Sequence, residues 1–187
     1  MSNDPSAIAT WANLVTVARL LVSPVMFAAI DGEKGSWFAT VLWFVLCMSD
    51  MVDGSLARRH GATRSGAFLD PLADKVLVLG AMFTLVQRDM FWILPVLIIA
   101  ARELVIQLYR TFVGAKGVSV PATQLAKWKT FAQQVAVGFA VLPLTAHHAT
   151  WLWQASLWIA VTLTVVTGAD YLVKAQRLKS AGATVHA

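Results

Sequence analysis

The sequence predicts an all-α, polytopic membrane protein with six transmembrane helices. Of its 187 residues, 58% are hydrophobic and only 13% are charged, whereas soluble domains carry about 25% charged residues. Apolar stretches long enough to cross a bilayer recur along the chain, with short polar turns between them. Lysine and arginine gather at alternate turns, as they do in multi-pass proteins. We therefore expect one membrane-embedded domain over residues 1–187.

The predicted spans cover residues 14–30, 37–58, a third segment ending near residue 86, 91–112, 126–144 and 151–172. The third span has two possible starts. Asp70-Pro71 is typical of an N-cap and the first residue of a new helix, or the helix begins near Ser65 and bends at Pro71. Residues 2–11 form either a short interfacial helix or a disordered start, and the tail from 174 to 187 is expected to fray.

Charge placement predicts the orientation of the spans. Eleven of the 15 lysines and arginines lie on one side, namely Arg58, Arg59, Arg64, Lys75, Arg110, Lys116, Lys127, Lys129, Lys174, Arg177 and Lys179. The opposite side carries only Lys34 and Arg88. The positive-inside rule therefore puts both termini, and the loop after the second span, in the cytoplasm, with the protein in the inner (plasma) membrane.

The net charge of +5 does not indicate nucleic acid as a partner. In a membrane protein, such an excess is accounted for by positive-inside loops and their contact with anionic membrane lipids. Cys47 is the single cysteine, which excludes an internal disulfide. No basic segment precedes an apolar stretch at the N-terminus, so no cleaved signal peptide is predicted.

Two carboxylates near the end of the second span share a helical face with two small residues. At about 100° per residue, one arc of about 100° holds Asp50, Asp53, Gly54 and Ala57. Taken alone, Gly54 and Ala57 are equally well explained as a small-residue packing face between helices. Beside two carboxylates, they also leave room for a bulky phosphorylated ligand to approach the backbone.

A second pair of carboxylates follows at the start of the third span. Asp70 and Asp74 share a face if their segment is helical, and Gly66 lies one turn below them. Carboxylates within apolar sequence are costly unless they are paired or bound to a cation. Four of them favour a hard cation such as Mg²⁺, Mn²⁺ or Ca²⁺. Two such ions would suit an in-line phosphoryl displacement.

The pattern D-x-x-D-G-x-x-A-R, followed by G-x-x-x-D-x-x-x-D, resembles the motif of the CDP-alcohol phosphatidyltransferases, which are integral membrane enzymes of phospholipid synthesis. Its eight fixed positions fall within the 25 residues from Asp50 to Asp74. The gap between Arg58 and Gly66 holds seven residues, one fewer than the family more often has. The resemblance covers most of the chain, from about Asn13 to Leu178.

The resemblance implies a reaction and a set of site residues. In the family, an alcohol attacks the phosphorus that bears the lipid in CDP-diacylglycerol, and CMP leaves. Two divalent cations, Mg²⁺ or Mn²⁺, are implied, with the ligands Asp50, Asp53, Asp70 and Asp74. Asp74 is also the implied catalytic base. The implied nucleotide and diphosphate contacts are Asn13, Thr16, Gly54, Ala57, Arg58 and Gly66. A homodimer is implied by the family alone.

The acceptor alcohol is indicated by positive charge on the same side of the membrane. Arg110, Lys127 and Lys129 are suited to binding the phosphate of an acceptor, although positive-inside charge without a ligand also accounts for them. The segment Ala126-Lys-x-Lys-Thr-x-x-Gln133 resembles the members that use glycerol-3-phosphate, which implies phosphatidylglycerophosphate and CMP as products. The alternatives are a CMP-forming cardiolipin synthase, with phosphatidylglycerol as acceptor, and a phosphatidylinositol-phosphate synthase.

Three charged residues inside the predicted spans have no role assigned by these patterns, namely Arg19, Arg102 and Glu103. Arg102 and Glu103 are adjacent on a helix, so they face different directions and need not pair with each other.

A function of another class can use the same carboxylates. A cation transporter or channel also carries acidic residues within the membrane. It does not account for the small residues beside them or for the basic residues on the same side. It also predicts charges near the bilayer midplane, whereas the four aspartates border a loop. The enzyme is therefore the favoured interpretation.

Overall fold

The computed structural model describes the backbone of residues 11–32, 34–60, 66–115 and 124–183. Side chains are described within these ranges except at residues 11–13, 50–60, 66–71, 110, 112–115 and 174–183. Across this part of the chain the regular structure is entirely helical, which confirms the all-α class. The helices are α1 (Trp11–Ala28), α2 (Trp37–His60), α3 (Gly66–Gln87), α4 (Ile93–Ala115), α5 (Gln124–Val141), α6 (Pro143–Ala146) and α7 (Thr150–Ala183).

The six long helices follow the order of the six predicted spans, but two boundaries differ. Helix α3 begins at Gly66, so the predicted helix start at Asp70-Pro71 is wrong and the earlier start is confirmed. A proline in the second turn removes only one early backbone hydrogen bond. The prediction that the tail frays from Lys174 is wrong up to Ala183, because α7 continues to that residue. The predicted interfacial helix lies outside the described residues, apart from Trp11 at the start of α1.

The bundle exposes its large apolar side chains. Exposed leucine, valine, phenylalanine or tryptophan occurs on all six long helices, and Leu21, Phe44 and Trp128 are 72%, 65% and 62% exposed. Exposure of so many large apolar side chains is typical of contact with another apolar phase. By length and composition, one described segment, Thr150–Val173, is sufficient to cross a membrane, and Leu14–Ala28 and Trp37–Ser49 are shorter apolar segments.

Polar and charged side chains lie inside the bundle, next to an apolar core. The buried polar residues are Thr16, Arg19, Ser23, Glu103, Lys129, Gln133, Thr164 and Thr167. Helix α1 packs on α2 and α3, while α7 packs on α4 and α5. The polar groups therefore lie between helices, where each needs a partner from a neighbouring helix.

Three connections meet at one end of the bundle. His147 Nε2 lies 3.0 Å from the carbonyl oxygen of Gly32. The Ser36 amide donates to the Val141 carbonyl at 3.1 Å. Gly32 lies so close to Arg88 that a Cβ at Gly32 would be 2.8 Å from the Arg88 Cβ. The C-terminus of α2 and the N-terminus of α3 therefore lie toward the opposite end, because α2 begins and α3 ends at these connections and the two helices have 24 and 22 residues.

Close packing of α1 on α3 generates a test of this arrangement. A Cβ at Gly80 would lie 2.4 Å from Phe27 Cζ and 2.7 Å from its Cε2. We expect Gly80→Ala to lower the free energy of unfolding by about 1–3 kcal/mol, because the ring must shift or the helices must separate. The thermal unfolding midpoint of the purified protein measures this.

Gly138→Ala is the matched control, because its Cβ would meet Trp43 Nε1 at an ordinary 3.5 Å. Both changes gain about 0.5–1 kcal/mol of helix propensity, so their difference isolates the contact with Phe27. Adding Phe27→Leu to Gly80→Ala should recover part of the loss. If it recovers nothing, the predicted clash is not the cause.

Candidate active site

A buried arginine joins α1 to α2 directly before the aspartate motif. Arg19 is 2% exposed, and its Nε donates to Ser49 Oγ at 3.3 Å. Ser49 Oγ in turn donates to the Leu46 carbonyl at 2.8 Å. Because α1 and α2 are consecutive and antiparallel, residues before Arg19 lie beside residues after Ser49. Thr16, one turn before Arg19 and fully buried, is therefore level with the start of the motif.

The motif itself lies on two helix ends. The backbone is helical from Asp50 to Arg58 in α2 and from Gly66 to Asp74 in α3. This confirms the helical spacing on which the predicted shared faces depend. Residues 61–65 join the two ends, so both ends lie on the same side of the bundle. The two pairs of aspartates are thus carried by neighbouring ends of consecutive helices.

The side chains of this motif are described only at Asp74, which is half-buried. The predicted residues whose side chains lie outside the described part are Asn13, Asp50, Asp53, Gly54, Ala57, Arg58, Gly66, Asp70 and Arg110. Among the side chains that are described, no group of three or more His, Cys, Asp or Glu is placed to hold a metal ion. The four-aspartate metal site therefore stays a prediction.

A cluster of four charged side chains lies immediately beyond Asp74 and is here called the Glu103 cluster. Glu103 on α4 has a side chain only 3% exposed, and Lys75 on α3 donates to its Oε2. Lys129 on α5 donates to Oε1, and Arg102 Nη1 is 3.3 Å from that same oxygen. One buried carboxylate thus receives cations from three helices. Removing it would leave those cations together without their counter-ion, which is strongly destabilising.

Arg102 and Glu103 pair although they are adjacent on α4. The long arginine side chain turns back to Glu103 through Nη1 and reaches α7 through Nη2, which donates to Thr167 Oγ1 at 3.0 Å. Gly168 provides the space for this, since a Cβ there would be 3.3 Å from Arg102 Cγ. The sequence-based expectation that the two charges need not pair is therefore corrected. Side-chain length compensates for the 100° between their Cα positions.

The three residues predicted to bind the acceptor phosphate are not all brought together. Lys127 is exposed, whereas Lys129 is buried and bound to Glu103. Two positions on a helix are about 200° apart, so these lysines face opposite sides of α5.

Lys75 and Glu103 are the residues whose place in this cluster the sequence patterns missed. The charge pattern identifies Lys75 only as a positive-inside charge and gives Glu103 no partner. One signal was present: a glutamate in the middle of an apolar helix requires a cation from another helix. The pattern does not say which of the available lysines supplies it.

Comparison with known proteins agrees with the motif and the helical bundle. The model of the family CDP-alcohol phosphatidyltransferase matches residues 9–166. The chain belongs to this family. The match runs from before α1 to the middle of α7 and includes both halves of the aspartate motif.

Among the family's curated members, the chain is similar to a probable phosphatidylglycerophosphate synthase of Mycobacterium tuberculosis, at 41% identity over 91% of this chain and 83% of the relative. It is similar to a CDP-diacylglycerol–glycerol-3-phosphate 3-phosphatidyltransferase of Cereibacter sphaeroides, at 34% identity over 87% of this chain and 94% of that one. A transferase of the same name from Rickettsia felis is 34% identical over 85% and 91% of the two chains.

Proposed function

We propose that this protein transfers the phosphatidyl group of CDP-diacylglycerol to glycerol-3-phosphate, giving phosphatidylglycerophosphate and CMP. The observation that carries the proposal is the motif on two neighbouring helix ends, D-x-x-D-G-x-x-A-R on α2 and G-x-x-x-D-x-x-x-D on α3. The names of similar family members support this choice of acceptor. The whole chain acts as one catalytic domain.

The donor set of the site suits hard divalent cations. Four carboxylates supply only oxygen ligands, which is the chemistry that Mg²⁺ and Mn²⁺ favour. The backbone of both helix ends gives each pair of aspartates one shared face. Asp50, Asp53, Asp70 and Asp74 would hold two such ions. The ions would neutralise the diphosphate of the bound nucleotide.

The remaining roles follow from position. Asn13 and Thr16 on α1, together with Gly54, Ala57, Arg58 and Gly66, line the nucleotide and diphosphate pocket. Asp74 takes the proton from the attacking hydroxyl of the acceptor. The hydroxyl oxygen forms a bond to the phosphorus that bears the lipid, the bond from that phosphorus to the bridging oxygen breaks, and CMP leaves with that oxygen.

The proposed site lies on the cytoplasmic side of the inner membrane. The six long helices cross the bilayer, and the exposed apolar side chains on all of them face lipid. The three connections that meet at one end include Lys34 and Arg88, the two cations assigned to the outside. The motif lies at the other end, where CMP and glycerol-3-phosphate are available. A homodimer is the expected assembly.

Metal dependence tests the carboxylate site. We expect activity to be lost in excess chelator and restored by Mg²⁺ or Mn²⁺. Asp50→Asn and Asp53→Asn should abolish turnover while the protein still folds and inserts. Asp74→Asn, if it removes only the base, should lower kcat by about 10²–10⁴. Full activity in excess chelator would contradict the two-cation site.

Labelling with a membrane-impermeant thiol reagent tests the orientation. The native cysteine is first removed by Cys47→Ala, and a single cysteine is then added beside Lys34 or beside Lys116. In intact cells the cysteine near Lys34 should react and the one near Lys116 should react only after permeabilisation. The reverse pattern would put the motif away from its soluble substrates.

Product analysis tests the acceptor. Purified protein with CDP-diacylglycerol, a divalent cation and glycerol-3-phosphate should form phosphatidylglycerophosphate and equimolar CMP. Phosphatidylglycerol or inositol phosphate in place of glycerol-3-phosphate should give no lipid product. If the protein forms cardiolipin from phosphatidylglycerol and makes no phosphatidylglycerophosphate from glycerol-3-phosphate, its acceptor is phosphatidylglycerol. The family assignment would be unchanged.

A further inference from the structure

Lys75 and Lys129 are held together although they lie on different helices. Glu103 accepts a hydrogen bond from Lys75 through Oε2 and from Lys129 through Oε1. Two ammonium groups repel each other, and they do so more strongly where little water is present. The carboxylate between them offsets that repulsion and fixes their separation. The two lysines therefore form a cation pair built by three helices.

The pair is open on one side. The side chain of Lys129 is 4% exposed and that of Lys75 is 22% exposed. Each ammonium group carries three donors, and in the described part of the structure Glu103 is the side-chain acceptor for both. Lys75 therefore keeps donors on the accessible side of the pair. An anion that reaches Lys75 also approaches the charge of Lys129.

The charge of the Glu103 cluster suits a strongly anionic group. Its three cations, Lys75, Arg102 and Lys129, surround one carboxylate. In addition, Arg102 Nε is buried and has no hydrogen-bond partner among the described residues. A phosphate group accepts several hydrogen bonds from cations and is held most strongly by two or more of them. The cluster has the excess of donors and positive charge that such a group requires.

Lys75 places the positive charge of the Glu103 cluster next to Asp74, the proposed base. Lys75 directly follows Asp74, the proposed base, so their Cα atoms are about 3.8 Å apart. In glycerol-3-phosphate the attacking hydroxyl and the phosphate lie at opposite ends of a three-carbon chain. If the acceptor places its hydroxyl at Asp74, its phosphate is therefore within reach of the Lys75 side chain.

We propose that Lys75 and Lys129 together bind the phosphate of the acceptor, and that Glu103 is the residue that positions them. This assignment rests on the proposed transfer to glycerol-3-phosphate and adds Lys75 and Glu103 to its site. Lys75 contacts the phosphate directly. Lys129 contributes from the buried side, and Glu103 acts through the two lysines without touching the substrate.

Lys75→Met tests the contact, since it removes the ammonium and keeps the apolar stem. The KM for glycerol-3-phosphate should rise about tenfold or more, which corresponds to about 1.4 kcal/mol or more of lost binding. The kcat and the KM for CDP-diacylglycerol should stay near their wild-type values, because the lost contact serves the acceptor in ground and transition states alike. The inhibition constant of inorganic phosphate, competing with glycerol-3-phosphate, should rise by a similar factor. Lys75→Arg should give a KM for glycerol-3-phosphate and an inhibition constant for phosphate that lie between those of the wild type and those of Lys75→Met.

Lys34→Met is the matched control, because it removes one ammonium at the opposite end of the bundle. It should leave both KM values unchanged. Glu103→Gln tests the positioning role: it keeps the size of the side chain and removes the charge that holds the lysines together. It should raise the KM for glycerol-3-phosphate as Lys75→Met does.

Thr164→Val controls for the loss of a buried polar contact, since it removes the 3.4 Å hydrogen bond that Thr164 Oγ1 accepts from Gln133 Nε2. It should lower the unfolding midpoint without changing either KM. If Glu103→Gln does not fold, Glu103→Asp tests the positioning role in its place, because it keeps the charge and shortens its reach to the two lysines. An unchanged KM for glycerol-3-phosphate in that variant would overturn the positioning role.

The outcomes separate this inference from the proposed function. If the wild-type protein makes no phosphatidylglycerophosphate from glycerol-3-phosphate, the proposed function fails and the inference fails with it. If the wild-type protein does so but Lys75→Met keeps the wild-type KM for glycerol-3-phosphate, only the inference fails. A rise confined to the KM for CDP-diacylglycerol would assign Lys75 to the nucleotide diphosphate and overturn the inference in the same way.

Discussion

The buried carboxylate of Glu103 is the constraint on which the packing of four helices depends. A charge that is 3% exposed is costly unless cations and hydrogen bonds surround it. Here the cations come from α3, α4 and α5, and Arg102 extends the contact to Thr167 on α7. A rotation of any of these helices would break an ion pair inside the bundle. The requirement to satisfy one carboxylate thus determines which faces of four helices meet, immediately beside Asp74.

The two ends of the bundle differ in which groups join the helices: backbone carbonyls and close packing at one end, charged and hydroxyl side chains toward the other. At the end with Lys34 and Arg88, the connections pack closely on one another, and α1 meets α3 through Phe27 and Gly80. Toward the motif, the contacts between helices are polar, as in the hydrogen bond from Arg19 to Ser49 and in the Glu103 cluster. Polar contacts are directional, so they hold neighbouring groups at defined positions. A site for a nucleotide diphosphate and a phosphorylated acceptor needs that property more than it needs a tightly packed apolar core.

Local sequence predicts most of the fold, and the differences lie at two helix boundaries. Apolar runs separated by turns predict six long helices in the observed order, because apolar side chains along the whole length of a helix favour its place in the bundle. Asp70-Pro71 is one of two predicted starts for α3, but the helix begins earlier, at Gly66, since one lost hydrogen bond is small beside the packing of a 22-residue helix. The tail from Lys174 was expected to fray, but α7 runs on to Ala183. Its sequence there is rich in alanine, lysine, leucine and arginine, which are good helix formers.

By itself, the sequence determined the helical class, the family and the motif, because each depends on residue spacing along one helix. It did not assign a role to Glu103, although a glutamate within an apolar helix needs a cation. Only the tertiary structure decided that Lys75 and Lys129 supply it, that Arg102 turns back to its neighbour, and that Lys127 points elsewhere. The partners of Glu103 on α3 and α5 are 28 and 26 residues away. Periodicity specifies which face of a helix is buried, but the neighbour that the face meets is set by the packing of all the helices together.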